Sequence, residues 1–104
     1  MIRATIAYRA DTGTRFDLDY YVTRHTPFAR QLLSEVGLVR LEVDRGVSGE
    51  ERGSRAPYAC ATHLYFESAE DFYAAMAAHG DALGDDVPNY TDMALEIQVS
   101  EIVL

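Results

Sequence analysis

The sequence predicts an α+β protein in which two helices cover one face of a four-stranded antiparallel sheet. Four segments have the alternation or the β-branched and aromatic content of strands, and two have apolar residues at helical spacing. Their order is strand, helix, strand, strand, helix, strand. Because 104 residues are enough for one small core, we expect a single domain over 1–104.

The first strand and the start of the first helix have clear local signals. The segment "MIRATIAYR", residues 1–9, alternates apolar with more polar residues, which predicts a half-buried strand. Asp17 can accept hydrogen bonds from the free amides of a first helical turn, and Phe16 can pack onto Tyr21. We therefore expect a helix that begins near Leu18.

A proline interrupts this helix early. Pro27 has no amide hydrogen, but it fits as the first residue of a new turn that Thr26 caps. The sequence thus predicts a kinked or two-part helix that Gly37 ends. The face expected to be buried carries Phe28, Leu32 and Val36.

Three later segments read as strands. Residues 38–47 and 58–66 are rich in β-branched, aromatic and alternating apolar residues, and the polar, glycine-bearing loop 48–57 separates them. Residues 93–104 form the last predicted strand. The side chains expected to share one of its faces are Leu95, Ile97 and Val99.

The second helix lies between the third and fourth strands. Ser68 can cap it, and acidic residues follow in the first turn, where they suit the helix dipole. Apolar residues recur at helical spacing over 69–79, and Gly80 is expected to end the helix.

This element order is that of the ferredoxin-like fold, whose two helices leave one sheet face bare. Candidates for the bare face are Ile6, His63, Tyr65 and Ile102. A β-bulge would invert the alternation, so the sequence does not decide on which face of the sheet each of these residues lies. Two copies packed through their bare faces would form a closed barrel. We therefore expect a homodimer.

Composition excludes several partner classes. Nine basic and seventeen acidic residues give a net charge of −8, which repels nucleic acid and anionic lipid surfaces. No apolar stretch reaches membrane-spanning length, so we expect a soluble, cytoplasmic protein without a membrane partner. Cys60 is the single cysteine, and its apolar neighbours indicate a buried, inert thiol. Histidine spacing gives no metal site, glycine-rich phosphate loops are missing, and no motif supports haem, so we predict no cofactor.

Two motifs indicate more than the fold: "FDLDYYVTRHTPF" at residues 16–28, and "HGDALGDDVPNYTDMALEIQVSEIVL" at residues 79–104. With the strand-loop-strand segment between them, they resemble the EthD family. The resemblance implies a dimeric α+β barrel. It also implies a largely unsettled small-molecule role, because the family takes its name from a protein encoded beside an ether-degrading cytochrome P450 system, and relatives in polyketide pathways resemble dehydratases or lactone-forming enzymes.

His25 and Asp86 are the candidate catalytic residues. Histidine changes charge near neutral pH, which suits a general acid or base, and His25 stands where the proline disturbs the helix. If Asp86 lay beside it, the carboxylate would select the tautomer of the ring. The structural alternatives are that His25 satisfies the disturbed helix and that Asp86 bonds its own loop. The spacing of the two residues in the sequence does not decide between the catalytic and the structural roles.

Six further residues are candidates for binding a substrate: Tyr21, His63, Tyr65, His79, Asn89 and Tyr90. Tyrosine rings with a polar tip suit a cavity for a flat, partly oxygenated molecule, but they also suit a dimer interface. A protonated His79 would interact favourably with the dipole at the carboxyl end of the second helix. Alternatively, His79 would line the cavity beside Tyr90. His63 would face the barrel or would be an ordinary strand histidine.

Two functions from different classes remain open. The first is an enzyme that acts on a small aromatic or polyketide-like compound inside the dimer's barrel, by dehydration, isomerisation, ring closure or cofactor-free oxidation. The second is a non-catalytic binder, or an accessory protein of an oxygenase system. Whether the protein is an enzyme is left open by the sequence, and only proton chemistry at His25 separates the two functions.

Overall fold

The protein is described over residues 1–104 by a computed structural model. Its single sheet has the strand order β2-β3-β1-β4, and every neighbouring pair is antiparallel. The strands are β1 (Ile2–Arg9), β2 (Arg40–Arg45), β3 (Tyr58–Phe66) and β4 (Leu95–Glu101). The predicted α+β, ferredoxin-like arrangement is confirmed.

The helical segments lie on one side of this sheet. The first is a continuous run of three pieces, and the second is one long helix that a single 3-10 turn follows. The segments are α1 (Leu18–Tyr20), a π-helical turn (Tyr21–His25), α2 (Thr26–Ser34), α3 (Ala69–Asp85) and the 3-10 turn Val87–Asn89.

Both helix starts follow the capping signals. The Asp17 carboxylate accepts a hydrogen bond from the Tyr20 amide at 3.0 Å. The Phe16 ring packs against Tyr21 with ring centroids 5.2 Å apart. At the second helix, the Ser68 hydroxyl accepts from the Asp71 amide at 3.2 Å. These bonds satisfy amides that have no partner within the helix.

The first helix does not break at its proline. Thr26 has helical dihedral angles, and its amide donates to the Tyr21 carbonyl five residues back instead of capping a new segment. A π-helical turn adds space, which relieves the crowding that the Pro27 ring would otherwise cause. The expected restart with Thr26 as N-cap is therefore wrong, and a widened turn takes its place.

The buried row of this helix also differs from the expectation. Tyr21, His25, Ala29 and Leu33 are buried, whereas Phe28 is exposed. Residues four apart stay on one side of a widened turn, so the row that Tyr21 starts continues through α2 at this spacing. The expected face, which begins at Phe28, is the row next to the buried one.

The second helix continues five residues past Gly80, to Asp85. Gly80 has helical surroundings, and a β-carbon at this position would meet only the Met76 side chain, at 3.9 Å. A glycine inside a helix costs about 1 kcal/mol but does not end it when the following residues still pack. Leu83, in the next turn, packs against the core, so the expected stop at Gly80 is wrong.

The main core fills the space between the helices and the sheet. It contains Ile2, Ala4, Ala29, Leu33, Leu64, Phe66, Phe72 and Ala75. A second cluster lies beside it and consists of Tyr8, Tyr21, Cys60 and Tyr90. The expectation that Cys60 is buried is confirmed.

Strand register decides which side chains face the helices. Ile6 pairs with Thr62 and Ile97, and all three side chains line a cavity on the helix side of the sheet. His63 and Tyr65 alternate with buried Thr62 and therefore point to the opposite face. The one register shift, between Tyr8 and Arg9, comes at the end of β1 and does not invert the alternation.

No helix combines the length and the apolar character that crossing a membrane would require. The cytoplasmic location stays a prediction.

Candidate active site

The structure joins His25 and Asp86, which are 61 residues apart in the chain. His25 Nδ1 lies 2.8 Å from Asp86 Oδ2. The His25 side chain is 8% exposed and that of Asp86 is 19% exposed. The π-helical turn within the first helix carries the histidine, and the end of α3 carries the aspartate.

Asp86 accepts hydrogen bonds from three side chains. Tyr20 Oη donates to Oδ1 at 2.7 Å and Asn89 Nδ2 donates to the same oxygen at 2.9 Å, while His25 contacts Oδ2. Burial opposes ionisation of this carboxyl, but the bonds from Asn89, His25 and Tyr20 outweigh it and hold the pKa of Asp86 below its ordinary value. Asp86 is therefore an anion at neutral pH.

This anion fixes the tautomer of the histidine. An ionised carboxylate only accepts hydrogen bonds, so Nδ1 of His25 carries the proton that it shares with Asp86. Nε2 then has a free lone pair in the neutral ring. The ring is held between aromatic neighbours, stacked on Tyr21 at 5.1 Å and tilted against Tyr90 at 4.7 Å between ring centroids. The contacts thus hold the His25 ring in one orientation and leave Nε2 without a partner in the protein.

Four hydroxyl groups form a hydrogen-bonded chain beside this ring. Tyr8 Oη lies 2.7 Å from Tyr90 Oη and donates to Tyr21 Oη at 3.5 Å. Tyr21 Oη is also bonded to Thr62 Oγ1. Burial first, and the mutual proximity of the rings second, raise the pKa of Tyr8 and of Tyr21, and burial raises that of Tyr90. These phenols stay protonated and are hydrogen-bond donors, not bases.

A cavity of about 170 Å³ lies between the sheet and the helices. His25, Thr26, Tyr21 and Tyr90 are among the residues that line it, and most of the remaining wall is aliphatic. Leu95 and Ile97 of the edge strand β4 also line it and are partly exposed, which places the opening on that side. The arrangement can hold an apolar molecule with one face against the His25 ring.

This cavity differs from the one expected inside a dimer's barrel. It lies within one chain, on the helix side of the sheet, because the row that contains His25 points toward the sheet. His63 and Tyr65 lie on the opposite face and therefore do not share the cavity with His25.

The two residues on the open face belong to a separate polar network. His63 lies 3.1 Å from Thr5 Oγ1 through Nδ1 and 2.8 Å from Asp44 Oδ2 through Nε2. Tyr65 Oη donates to Glu42 at 2.8 Å. Both ring nitrogens of His63 are thus engaged by strand neighbours. Substrate binding by His63 and Tyr65 stays a prediction.

The other predicted residues fall into three groups. Tyr21 and Tyr90 line the cavity. Asn89 does not line it, but it bonds Asp86 at the outer side of the pair. His79 lies on α3, six residues before its end, so the expected position at the helix terminus is wrong. Gly80, not His79, lines the cavity from this part of α3.

Sequence reasoning did not identify Tyr20, Tyr8, Thr26 and Thr62 as site residues. Tyr20 holds Asp86, Tyr8 and Thr62 continue the hydroxyl chain, and Thr26 lines the cavity. The alternation of β1 and β3 did place Tyr8 and Thr62 on one face of their strands. A polar residue at an inward strand position, such as Thr62, was the signal that could have pointed to this site.

No three His, Cys, Asp or Glu side chains are grouped so that they could hold a metal ion. His25 and His63 each have a single carboxylate partner, and they lie on opposite faces of the sheet. The expectation of a cofactor-free protein stays a prediction.

The fold and sequence have clear relatives among solved structures. An EthD-like protein from Ralstonia eutropha JMP134 is 35% identical, with a TM-score of 0.91 over 99% of this chain and 92% of that chain. An ethyl tert-butyl ether D (EthD) family protein from Bacillus halodurans C-125 is 20% identical, with a TM-score of 0.74 and 99% of both chains covered. A dimeric ferredoxin-like protein from an uncultured marine organism shares the fold at 11% identity, with a TM-score of 0.59 over 99% of this chain and 93% of that chain.

No curated protein matches the chain. The sequence profile of the EthD domain matches residues 11–94, which contain His25, Asp86 and the π-helical turn. The chain belongs to the EthD family.

Proposed function

We propose that this protein binds a small, largely apolar molecule in the cavity and transfers a proton to or from it through His25. The observation that carries this proposal is the His25–Asp86 pair at 2.8 Å, in which the second nitrogen has no partner within the protein and the histidine lines the cavity. A histidine held only for structure would be expected to use both nitrogens, as His63 does.

The cavity sets the size of the molecule. A dry apolar cavity of about 150 Å³ in a protein interior is large enough for benzene. The present volume of about 170 Å³, open on the β4 side, therefore fits one aromatic ring with a short substituent. A multi-ring compound would have to extend out through the opening beside Leu95 and Ile97.

The proton transfer uses His25 and Asp86 in different roles. Nε2 of the neutral ring takes the proton, and the Asp86 carboxylate stabilises the imidazolium that forms. Positioned acid–base groups of this kind contribute about 10²- to 10⁴-fold to a rate. Asp86 is a positioning residue, because it lies behind the ring and outside the cavity wall.

The reaction begins with deprotonation. Dehydration, isomerisation and ring closure can start with removal of a proton from carbon, and a cofactor-free oxidation starts with deprotonation of an electron-rich substrate that then reacts with oxygen. Such chemistry would serve ether or xenobiotic degradation, or secondary metabolism. The geometry of His25 supports the shared first step.

A non-catalytic binder is the second candidate. It is favoured by the hydroxyl chain, because Tyr8, Tyr21, Tyr90 and Thr62 bond one another and make much of the polar lining a fixed part of the fold. Such a protein would hold a hydrophobic metabolite for a neighbouring oxygenase.

We also infer that the chain works as a homodimer. The open sheet face carries alanines at its centre, among them Ala7 and Ala61, which would allow a second sheet to approach closely. The dimeric ferredoxin-like relative supports this inference. Sedimentation equilibrium tests it, and a monomer at micromolar concentration would refute it.

Binding and proton transfer are tested on one panel of small aromatic ketones, aldehydes and phenols. Amide chemical shifts in NMR report binding, and deuterium incorporation from D2O reports proton transfer at carbon. We expect His25→Ala to lower incorporation at least 100-fold while ligand affinity stays within about threefold. If incorporation is the same in His25→Ala as in the wild type, the protein is a binder and the proton-transfer proposal fails.

A further inference from the structure

Two glycines of α3 line the cavity one helical turn apart. Gly80 and Gly84 lie within the helix, and neither has a positive φ. Alanine stabilises the interior of a helix more than glycine does. The backbone conformation therefore gives no reason for glycine at these two positions, which together are called the glycine strip.

Packing within the protein does not explain the glycine strip either. A β-carbon at Gly80 would meet only the Met76 side chain, at an ordinary contact distance of 3.9 Å, and one at Gly84 would meet nothing within 4 Å. Glycine is also found where a ligand approaches the backbone closely. A helix backbone without β-carbons in the wall of a cavity fits this second reason.

The edge strand β4 adds apolar surface to the same cavity. Leu95 is 37% exposed and Ile97 is 50% exposed, although both line the cavity. Gly84 is exposed and Gly80 is half-buried, so the glycine strip reaches toward the opening. An apolar group between the strip and β4 would remove this surface from water, which favours binding.

An independent feature of the cavity also indicates a ligand. His25 is 7% exposed and lines the cavity, and its Nε2 atom has no hydrogen-bond partner in the protein. This atom keeps some accessible surface, because Thr26 Oγ1 is the only fully enclosed side-chain oxygen or nitrogen without a partner. Buried polar groups are normally hydrogen-bonded, so an accessible, unpaired nitrogen in a buried ring is available to a bound molecule.

The charge and the size of the cavity limit the ligand. No arginine, aspartate or glutamate lines the cavity, so a desolvated ion would lack a partner there and the ligand is neutral. The volume of about 170 Å³ is enough for one aromatic ring. A second ring would have to lie at the opening, against the glycine strip.

Resting on the proposed function, we propose that Gly80 and Gly84 determine specificity by admitting a neutral substrate with two fused, flat aromatic rings. The inner ring lies beside His25, and the outer ring lies between the glycine strip and the side chains of Leu95 and Ile97. A flat ring makes full contact with a helix backbone that lacks β-carbons, whereas a puckered ring does not. A β-carbon at either glycine takes space from the outer ring and leaves the inner ring in place.

Three ketones test the outer ring separately from the inner ring. Acetophenone has only the inner ring, 2-acetylnaphthalene adds a flat outer ring, and 6-acetyltetralin has the same carbon skeleton with a puckered outer ring. Their affinities are measured by NMR titration for the wild type, for the double variant Gly80→Ala/Gly84→Ala and for Ala78→Leu. Ala78→Leu is the control, because Ala78 is an exposed residue of α3 outside the cavity wall.

We expect the wild type to bind 2-acetylnaphthalene about 10-fold more tightly than acetophenone and about threefold more tightly than 6-acetyltetralin, since the flat outer ring buries more apolar surface. The double variant is expected to bind 2-acetylnaphthalene about 5- to 10-fold less tightly and acetophenone within about twofold of the wild type. Ala78→Leu should change neither affinity. Without ligand, the double variant should unfold at a midpoint about 5 °C higher, because alanine favours the helix.

Three results would overturn the inference and leave the proposed function standing. If the double variant weakens acetophenone as much as 2-acetylnaphthalene, or weakens neither, the glycine strip does not contact the outer ring. If the wild type binds 6-acetyltetralin as tightly as 2-acetylnaphthalene, the strip does not select a flat ring. A lowered unfolding midpoint of the double variant would mean that the fold itself requires the glycines.

A fourth result separates the inference from the proposed function. If none of the three ketones binds the wild type, cavity binding itself is refuted, and the inference fails with it.

Discussion

Replacement of Asp86 by asparagine tests the electrostatic basis of the site. The substitution keeps the shape of the side chain but removes the negative charge that accepts bonds from Tyr20, His25 and Asn89. An amide has one acceptor oxygen, so its NH2 group must face at least one of these donors.

The three bonds contribute unequally to stability. The Tyr20 and Asn89 groups lie near solvent and can bond water once the carboxylate is gone, so each loss costs about 0.5 kcal/mol. His25 is buried, and an unpaired or mispaired Nδ1–H there costs about 1–3 kcal/mol. We expect Asp86→Asn to lower the free energy of unfolding by about 2 kcal/mol, or the midpoint by roughly 8–16 °C.

The pH dependence follows from the direction of the pKa shift. The pKa of Asp86 is lower in the folded protein than in the unfolded chain, so its ionised form stabilises the fold above the ordinary aspartate pKa. This contribution is lost as pH falls through the lowered folded pKa. The stability that the Asp86 carboxylate gives the wild type over Asp86→Asn should therefore shrink from about pH 4 downward.

Urea unfolding monitored by tyrosine fluorescence, from pH 7 to pH 3, measures the difference. Asp85→Asn is the matched control, because Asp85 is the adjacent aspartate, is exposed and makes no hydrogen bond or ion pair. Its replacement near the carboxyl end of α3 should be neutral or stabilising by a few tenths of a kcal/mol. Equal stabilities of the two variants at every pH would refute the assigned role of Asp86.

Three further predictions concern the fold. Leu33→Ala, at a fully buried core position, should cost about 3 kcal/mol in urea unfolding, and a cost below about 1 kcal/mol would contradict the core assignment. Gly37→Ala should lower the free energy of unfolding by about 1 kcal/mol, because Gly37 has a φ of 106°. Gly84→Ala should raise it by about 0.5–1 kcal/mol, because Gly84 lies inside α3 with open space around the new β-carbon. The opposite order of the two stabilities would refute these conformational roles. Burial raises the pKa of Cys60 to about 12, so its thiol should react with Ellman's reagent at pH 8 only as fast as the protein opens, and rapid labelling of the native state would show that it is accessible.

The sequence alone predicted every strand and the start of each helix. Period-two alternation identifies strands, and the caps Asp17 and Ser68 act on amides within three residues, so these signals are local. The family motifs at both ends of the chain also pointed to His25 and Asp86 as individual residues. Local signals failed where a choice depends on packing, as at the π-helical turn before Pro27 and at Gly80 inside α3.

Only the tertiary structure decided what the site is. His25 and Asp86 are 61 positions apart and carry no local signal of contact, because their meeting depends on how both helices pack on the sheet. The same packing buried the Thr26 hydroxyl without a hydrogen-bond partner, although nothing in its sequence neighbours distinguishes it from a cap. Sequence determined which groups are available for chemistry, and the sheet, by fixing which side each strand residue faces, determined which of them meet.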